Sequence, residues 1–480
     1  MNDRKGFGSN FGFLMAAVGS AVGLGNIWGF PNKMGANGGF PFLILYLALA
    51  LCCGVIIMLG ELALGRKTGH GAVGAYQSIS KRFKWLGWLG IAAAALIFSF
   101  YSALGGYCLR YVVVNFGNLI GAEFGTNGVG GADVFQGLLS QPDVSIAFAL
   151  AFMLITMLVV MSGVGGGIER VCSVGMPALF FILIICIIRS CTLPGAADGP
   201  KYMFVPGWAV ANGIIDEAPG FWKVLTAAGG QMFFSLSLGA GVMITYGSYL
   251  DKKQDLGKSA MIIVGMDTVV ALMAGLCVIP GRFALDPNGA LGGPELLFIT
   301  MQNVFDKMGP AGPVFGILFY LLVFFAAISS SISMLEVIVA HFCDKAREKG
   351  KGDRRKLYSA IAVVICAALC ALVCADGMGS NHISPAELLG LAGAKLPGWS
   401  TSWLGLFDSV AEGLLMPLGA LLMCLMISWE LKPDTLRQEI LLNGENRPWV
   451  YDFFRLCVKY ITPLCMLMIL YGQISDFFIV

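Results

Sequence analysis

The sequence predicts an all-α polytopic membrane protein. Three observations carry that expectation. Of its 480 residues, 57% are hydrophobic and only 12% are charged, about half the charge of a soluble domain. Mean hydropathy is +0.79. The apolar residues collect in runs of roughly 20, the length that crosses a bilayer. The 64 glycines and the long apolar runs exclude a disordered chain, a coiled coil and a disulfide scaffold. A net charge of +2 gives no sign of nucleic-acid binding.

Eleven segments meet the length requirement, because lipid offers the backbone no hydrogen-bond partner and a helix satisfies its own. In chain order they are spans 1 to 11: residues 11–30, 40–64, 86–119, 144–162, 171–191, 222–249, 259–279, 313–341, 357–375, 408–429 and 452–474. Span 1 is glycine-rich and lacks the small-residue cleavage site of a signal peptide. Positive loops stay cytoplasmic, and an inner N-terminus places 23 of the 31 Lys and Arg residues inside. An odd number of spans then puts Val480 outside. Residues 376–407 form a long outer loop with room for a short helix.

Nearly all of the fourteen cysteines fall within the spans; Cys366, Cys370 and Cys374 share one helical face, the pattern of helix packing. His70, His341 and His382 have no metal-ligand spacing. Neither a metal cofactor beyond simple cations nor an organic cofactor is expected.

Two spans have unusual centres. Span 1 reads GSAVGLGN at 19–26 and span 6 reads SLSLGAG at 235–241. Glycine is a poor helix former, so both are candidates for unwinding in mid-membrane. They lie five spans apart, as in an inverted repeat of five plus five helices with span 11 added. An unwound segment exposes carbonyls to cations and a helix N-terminus to an anion. Close packing of small residues would account for glycine alone. Asn26, Asp267 and the Ser329-Ser330-Ser331-Ile332-Ser333 run, however, gather hard oxygen ligands at comparable depth. An ionised Asp at mid-membrane costs at least ~2.5 kcal/mol, so a cation or proton partner is the default expectation.

The motifs AVGLGNIWGFP (21–31), NGGFPFLILY (37–46), GQMFFSLSLGAG (230–241), ITYGSYL (244–250) and FFAAISSSIS (324–333) occur in an order that resembles the neurotransmitter:sodium symporters. The resemblance runs from Arg4 to about Tyr471. It implies the fold of the bacterial leucine transporter, the inverted-repeat example from which the general rule is drawn. Helices 1 and 6 would be discontinuous. The first repeat would occupy 1–192, an outer loop 193–221, the second repeat 222–430, and helix 11 with the C-terminus 431–480.

Carried over, the resemblance implies two sodium sites. The first would use the Ala21 carbonyl, Asn26, Ser235, Asp267 and the substrate carboxylate. The second would use the carbonyls of Gly19, Val22 and Ala326 with the hydroxyls of Ser329 and Ser330. The substrate amino group would meet carbonyls near Ala21, Phe234 and Ser235, and its carboxylate would meet Tyr101 and the amides of Leu24 and Gly25. Ile97, Tyr101, Phe234, Ser237, Ala240, Ser330 and Met334 would complete the substrate site. Monoamine carriers of the family have Asp where this chain has Gly23, so glycine points to an amino acid. Relatives selective for smaller aliphatic residues have Phe where Ala240 stands, so the expected substrate is a large hydrophobic or aromatic amino acid.

Departures from the family pattern matter as well. Chloride-dependent members carry a Ser where this chain has Ala271, and Asp267 stands where they carry Asn, so a fixed carboxylate would make transport chloride-independent and could take up a proton when sodium leaves. Gly29 replaces the outer-gate Arg, while Asp408 is retained and Lys33, one turn further along, could reach toward it. Tyr101 and Phe234 remain as outer-gate aromatics, and Arg4, Phe7, Ser248, Tyr249 and Asp344 match the inner gate. Gly167 and Pro177 match a pattern that lets span 5 unwind. Glu61, Glu336, Glu412, Arg110 and Arg189 read as structural pairing or lumen-facing solvation.

The expectation is therefore a sodium-coupled amino acid symporter working by alternating access in a bacterial inner membrane, with the lipid bilayer as its surroundings. The alternative is a non-transporting amino acid sensor of the same fold. No HExxH, nucleotide loop or nucleophile with a base suggests an enzyme. A twelfth helix found in many relatives is missing from the pattern, which leaves oligomeric state open.

Overall fold

The computed structural model describes residues 6–126, 128–286, 295–390, 398–431, 435–441 and 448–478. Arg4 of the expected inner gate and the terminal Val480 lie outside the described residues. Every regular element among the described residues is a helix.

Nine helices among the described residues are long and apolar enough to cross a bilayer. They are Phe40–Thr68, Lys81–Ile120, Pro142–Met161, Val164–Cys191, Leu256–Leu285, Gly309–Glu348, Arg355–Gly379, Trp403–Trp429 and Pro448–Ser475, which correspond to spans 2–5 and 7–11. Several outrun their expected bounds. Hydropathy marks the stretch that meets lipid, whereas the hydrogen-bond ladder continues into polar turns at the membrane surface.

The remaining two spans are broken. Span 1 is split into Asn10–Ala21 and Gly25–Ala36, bent by 44°. At the break Val22 is extended, with φ −75° and ψ 99°. Span 6 is split into Phe221–Leu236 and Val242–Gly247. Its break turns on three left-handed residues, Ser237 (φ 53°), Gly239 (φ 79°) and Gly241 (φ 75°). Glycine takes that conformation without a Cβ penalty. Ser237 takes it while its hydroxyl donates to the Ser20 carbonyl across the gap, at 3.0 Å.

Spans 3 and 8 hold the same place in the two expected repeats. Each is 40 residues long, and they pack against each other along their length. Span 2 grips the lower half of span 6 backbone to backbone. A Cβ at Gly65 would lie 2.0 Å from the Ile244 carbonyl oxygen, and one at Gly247 would lie 2.6 Å from that of Leu62. The Glu61 carboxylate of span 2 accepts the Gly239 amide at 2.7 Å, satisfying a backbone group that the break leaves without a helical partner.

Span 5 is a continuous helix through Pro177, starting with a π-helical turn at Val164–Ile168 that contains Gly167. A proline inside a membrane helix is tolerated where neighbours cover the freed carbonyl. Cys366, Cys370 and Cys374 are all buried. The 376–407 loop holds a short helix, Pro385–Leu388, with a Ser384–Glu387 capping box. The His382 hydrogen bond, with help from Ser384, holds the Glu387 carboxyl below its ordinary pKa.

Candidate functional site

The two breaks face each other across a small, nearly closed cavity. Its walls are Ala21, Gly23 and Gly25 of span 1, Ile97 and Tyr101 of span 3, Phe234 and Ser237 of span 6, and Ser330 and Met334 of span 8. All nine belong to the residues expected from the sequence to hold the substrate. Leu24 contributes its backbone, whose amide donates to the Tyr101 hydroxyl at 2.5 Å. Gly23 is closely packed: a Cβ there would lie 2.3 Å from both the Ser330 and the Tyr101 hydroxyl oxygens, which would have to shift. Ala240 departs from expectation. It does not line the cavity, because the turn around Gly241 buries its backbone against Gly90, whose added Cβ would lie 3.2 Å from it.

Asp267 of span 7 is fully buried. Its carboxylate accepts hydrogen bonds from Asn26 (2.8 Å), from the Ser235 hydroxyl (2.9 and 3.0 Å to its two oxygens) and from the Tyr46 hydroxyl (3.1 Å). Asn26 also donates to the Asp267 carbonyl at 3.0 Å, and its own oxygen accepts the Gly23 amide at 3.0 Å. Three of the four protein ligands expected for a first cation, Asn26, Ser235 and Asp267, are thus in mutual contact, and the fourth, Ala21, borders the cavity beside them. Tyr46 is an addition to the expected set, although it closes a motif that the sequence singles out.

Beside this cluster a second group of oxygens converges. The Ser329 hydroxyl lies 2.9 Å from the Ala326 carbonyl and 3.4 Å from that of Val22. The Ser330 hydroxyl lies 3.1 Å from the Ser20 carbonyl and 3.4 Å from that of Gly19. Both groups are built only of carboxylate, amide, hydroxyl and carbonyl oxygen. Hard donors of that kind fit an alkali cation, and neither group contains the thiolate or imidazole that a transition metal would favour.

On the side of the cavity toward the second half of span 1, Tyr101 and Phe234 meet edge to face with ring centroids 6.2 Å apart. Above them Lys33 pairs with Glu412 of span 10. The sequence offers Asp408, one helical turn away, as the partner; the ion pair forms with Glu412, and Asp408 stands beside it, hydrogen-bonded to Glu412 and within reach of the Lys33 charge. Gly29 leaves room for Gln231, whose amide nitrogen donates to the Gly25 carbonyl at 2.6 Å. A Cβ at position 29 would lie 2.9 Å from the Gln231 oxygen, so this glutamine occupies the space beside span 1.

At the opposite end, Phe7 packs edge-on against Phe13, Tyr246 and Tyr249. The Tyr249 hydroxyl donates to Glu336 at 2.5 Å, and Arg355 grips Glu336 through two nitrogens at 2.5 and 3.0 Å. This gives Glu336 a specific partner that the sequence does not indicate. Asp344 accepts the Gly71 amide at 3.0 Å, and the Ser248 hydroxyl bonds back to Thr245 at 2.5 Å. Glu169 holds the start of span 1 through the Gly8 amide (2.6 Å) and the Ser9 hydroxyl (2.8 Å). Arg110 and Arg189 lie over Phe148 and Phe315, each 5.9 Å from the ring centre.

The family model described as the sodium:neurotransmitter symporter family matches residues 4–127 and 132–478. A protein described as an uncharacterized sodium-dependent transporter, YhdH of Bacillus subtilis, is 36% identical over 477 residues, covering 97% of each chain. Sodium-dependent nutrient amino acid transporter 1 of Drosophila ananassae is 26% identical over 422 residues, 72% of this chain and 63% of that one. Among solved structures, MhsT in complex with L-phenylalanine superposes with a TM-score of 0.83 at 33% identity, covering 98% of this chain and 100% of the other.

Proposed function

Because this chain belongs to the sodium:neurotransmitter symporter family, and so is a sodium-dependent membrane transporter with the leucine-transporter fold rather than an enzyme, we propose that it imports a large apolar or aromatic amino acid. In this reading two sodium ions accompany each substrate molecule and chloride is not required. The observation that carries the reading is the cavity between the two helix breaks, with Gly23 at its polar end.

The chemistry follows from the donors. A substrate carboxylate meets the Tyr101 hydroxyl and the Leu24 and Gly25 amides, at the N-terminal end of the second half of span 1 where the helix dipole favours an anion. The ammonium meets the carbonyls at the breaks. With Gly23 where an Asp would stand, the chain offers no carboxylate to a lone amine, so the substrate brings its own. Ile97, Phe234 and Met334 accept its side chain, and methionine adapts readily to aromatic rings. The relative of known structure was seen with L-phenylalanine, which supports the same class here.

Coupling lies in adjacency. A sodium ion held by Ala21, Asn26, Ser235 and Asp267 would touch the substrate carboxylate directly, so each ligand stabilises the form that the other binds. Asp267 supplies a fixed negative charge in place of chloride. The second ion, at Gly19, Val22, Ala326, Ser329 and Ser330, ties span 1 to span 8. The outer pathway closes with Tyr101, Phe234 and the Lys33–Glu412 pair, and the inner pathway with Phe7, Ser248, Tyr249 and Asp344. The Lys and Arg distribution supports an orientation with the N-terminus and the Glu336–Arg355 end in the cytoplasm of a bacterium, and the C-terminus outside.

Uptake of labelled tryptophan, phenylalanine, leucine and alanine into proteoliposomes tests the reading. An inward sodium gradient should drive accumulation of the aromatic substrates, and gluconate in place of chloride should leave it unchanged. Binding without accumulation in any arm would overturn the transport reading.

A further inference from the structure

The end of span 3 nearest the Phe7 and Glu336 clusters carries Lys81, Arg82, Lys84, Trp85 and Trp88 within eight residues. Lys81, Lys84, Trp85 and Trp88 recur at helical spacing and share one face. All four are exposed, Trp85 by 47% and Trp88 by 41%. Exposed tryptophans beside lysines at a helix end mark the level of lipid headgroups.

Span 8 packs against this end of span 3. The His341 ring stands edge-on to Trp88 with centroids 4.9 Å apart, and the ammonium groups of Lys84 and Lys345 lie within electrostatic reach of it. His341 is only 8% exposed, and its Nε2 is buried without a hydrogen-bond partner. A buried polar atom without a partner is unusual and calls for one. Neither Lys84 nor Lys345 has a carboxylate partner among the described residues. Asp344, whose charge also reaches His341, is turned to the Gly71 amide at 3.0 Å and lies 3.8 Å from Arg347, so its charge is already engaged.

Two ammonium groups, a buried imidazole nitrogen and an exposed indole thus stand near one another. We propose that Lys84, Lys345, His341 and Trp88 form a binding site for the headgroup phosphate of an anionic phospholipid of the cytoplasmic leaflet. The acyl chains lie along the exposed faces of Trp85 and Trp88, and the phosphodiester sits between the two lysines. A lipid is favoured over a free anion because the exposed indoles of Trp85 and Trp88 stand beside the lysines. The site adds to the transport reading without depending on it.

The test is native mass spectrometry of the purified full chain titrated with phosphatidylglycerol, with phosphatidylcholine, and with inorganic phosphate. One phosphatidylglycerol should be retained in preference to phosphatidylcholine. Each lysine near an anionic surface contributes about 1 kcal/mol, so Lys84→Gln with Lys345→Gln should weaken retention about thirtyfold. Lys223→Gln, at the opposite membrane face, should leave it unchanged, and His341→Phe should weaken it while keeping the ring contact with Trp88. Thermal unfolding of each variant separates a lost site from a lost fold. Equal retention of the two lipids, or retention unchanged in the folded double lysine variant, would overturn the proposal. Binding of inorganic phosphate with no preference for phosphatidylglycerol would overturn it in favour of a free-anion site.

Discussion

Lys33 in the second half of span 1 is ion-paired with Glu412 of span 10, and the two side chains are only 25% and 9% exposed. The pair bridges the broken helix and its neighbour directly above the Tyr101–Phe234 contact. Gly230 lies under it; a Cβ there would come within 3.0 Å of the Glu412 carboxylate and 3.6 Å of the Lys33 nitrogen.

Glu412→Gln keeps the shape and removes the charge. Initial uptake rates in proteoliposomes should fall on the order of tenfold, equivalent to about 1.4 kcal/mol of closed-state stabilisation. Exchanging the charges, Lys33→Glu with Glu412→Lys, should restore most of the rate. An unaltered rate in the single variant would show that this pair takes no part in closure.

Asp267→Asn tests the fixed charge. Sodium affinity, read as the sodium dependence of substrate binding, should weaken about a hundredfold, equivalent to ~2.7 kcal/mol. Chloride should then stimulate the variant but not the parent. Removing sodium from the parent should abolish substrate binding altogether. If the variant bound sodium as before and ignored chloride, Asp267 would not be the compensating anion.

Gly23→Ala places a methyl 2.3 Å from the Ser330 and Tyr101 oxygens. Overpacking of that kind costs about 1–3 kcal/mol, so substrate affinity should drop roughly tenfold to a hundredfold. Equilibrium binding by scintillation proximity, set beside the thermal midpoint, distinguishes a blocked site from an unfolded chain. Normal affinity in the variant would contradict the placement of the substrate carboxylate.

Arg355→Ala leaves the buried Glu336 carboxylate without its cation. Breaking such a pair costs about 3–5 kcal/mol, whereas replacing both members by apolar residues is far milder. The thermal midpoint in detergent should therefore fall steeply for Arg355→Ala and recover by more than half in Arg355→Met with Glu336→Met. Equal losses in the two variants would mean that packing, not charge, holds this end together.

The helix breaks are legible in the sequence because clustered glycines in the middle of an apolar run weaken the helix where it has no water to fall back on, and six of the nine cavity residues lie inside the motifs, Ile97, Tyr101 and Met334 being carried over by the family resemblance alone. The pairings are harder to read. Lys33 has the sequence context of a solvated loop lysine, since nothing in its neighbourhood shows that Glu412, 379 positions away, will face it. Glu336 and Arg355 are separately visible charges, but their bidentate contact depends on how the chain reverses between spans 8 and 9. Ala240 defeats a reading by motif, because position in a motif does not reveal which way a left-handed turn aims its residues. Tyr46 reads as one more aromatic in an apolar helix until Asp267 is placed beside it. Periodicity gives no hint of the π-helical turns, because one extra residue per turn leaves composition unaltered.

The glycine contacts between span 2 and the lower half of span 6 limit how the molecule can change shape. Gly65 and Gly247 let two backbones touch with no side chain between them, and the Glu61–Gly239 bond pins the top of the same seam. Sliding one helix along the other would drive Cα hydrogens into carbonyl oxygens at every step, so shear between these two elements is closed off. They are left to rotate together as a single lever. Engineering at the Gly65–Gly247 seam would therefore be expected to alter the rate at which the two faces of the membrane exchange access, while leaving untouched the groups that recognise the cargo.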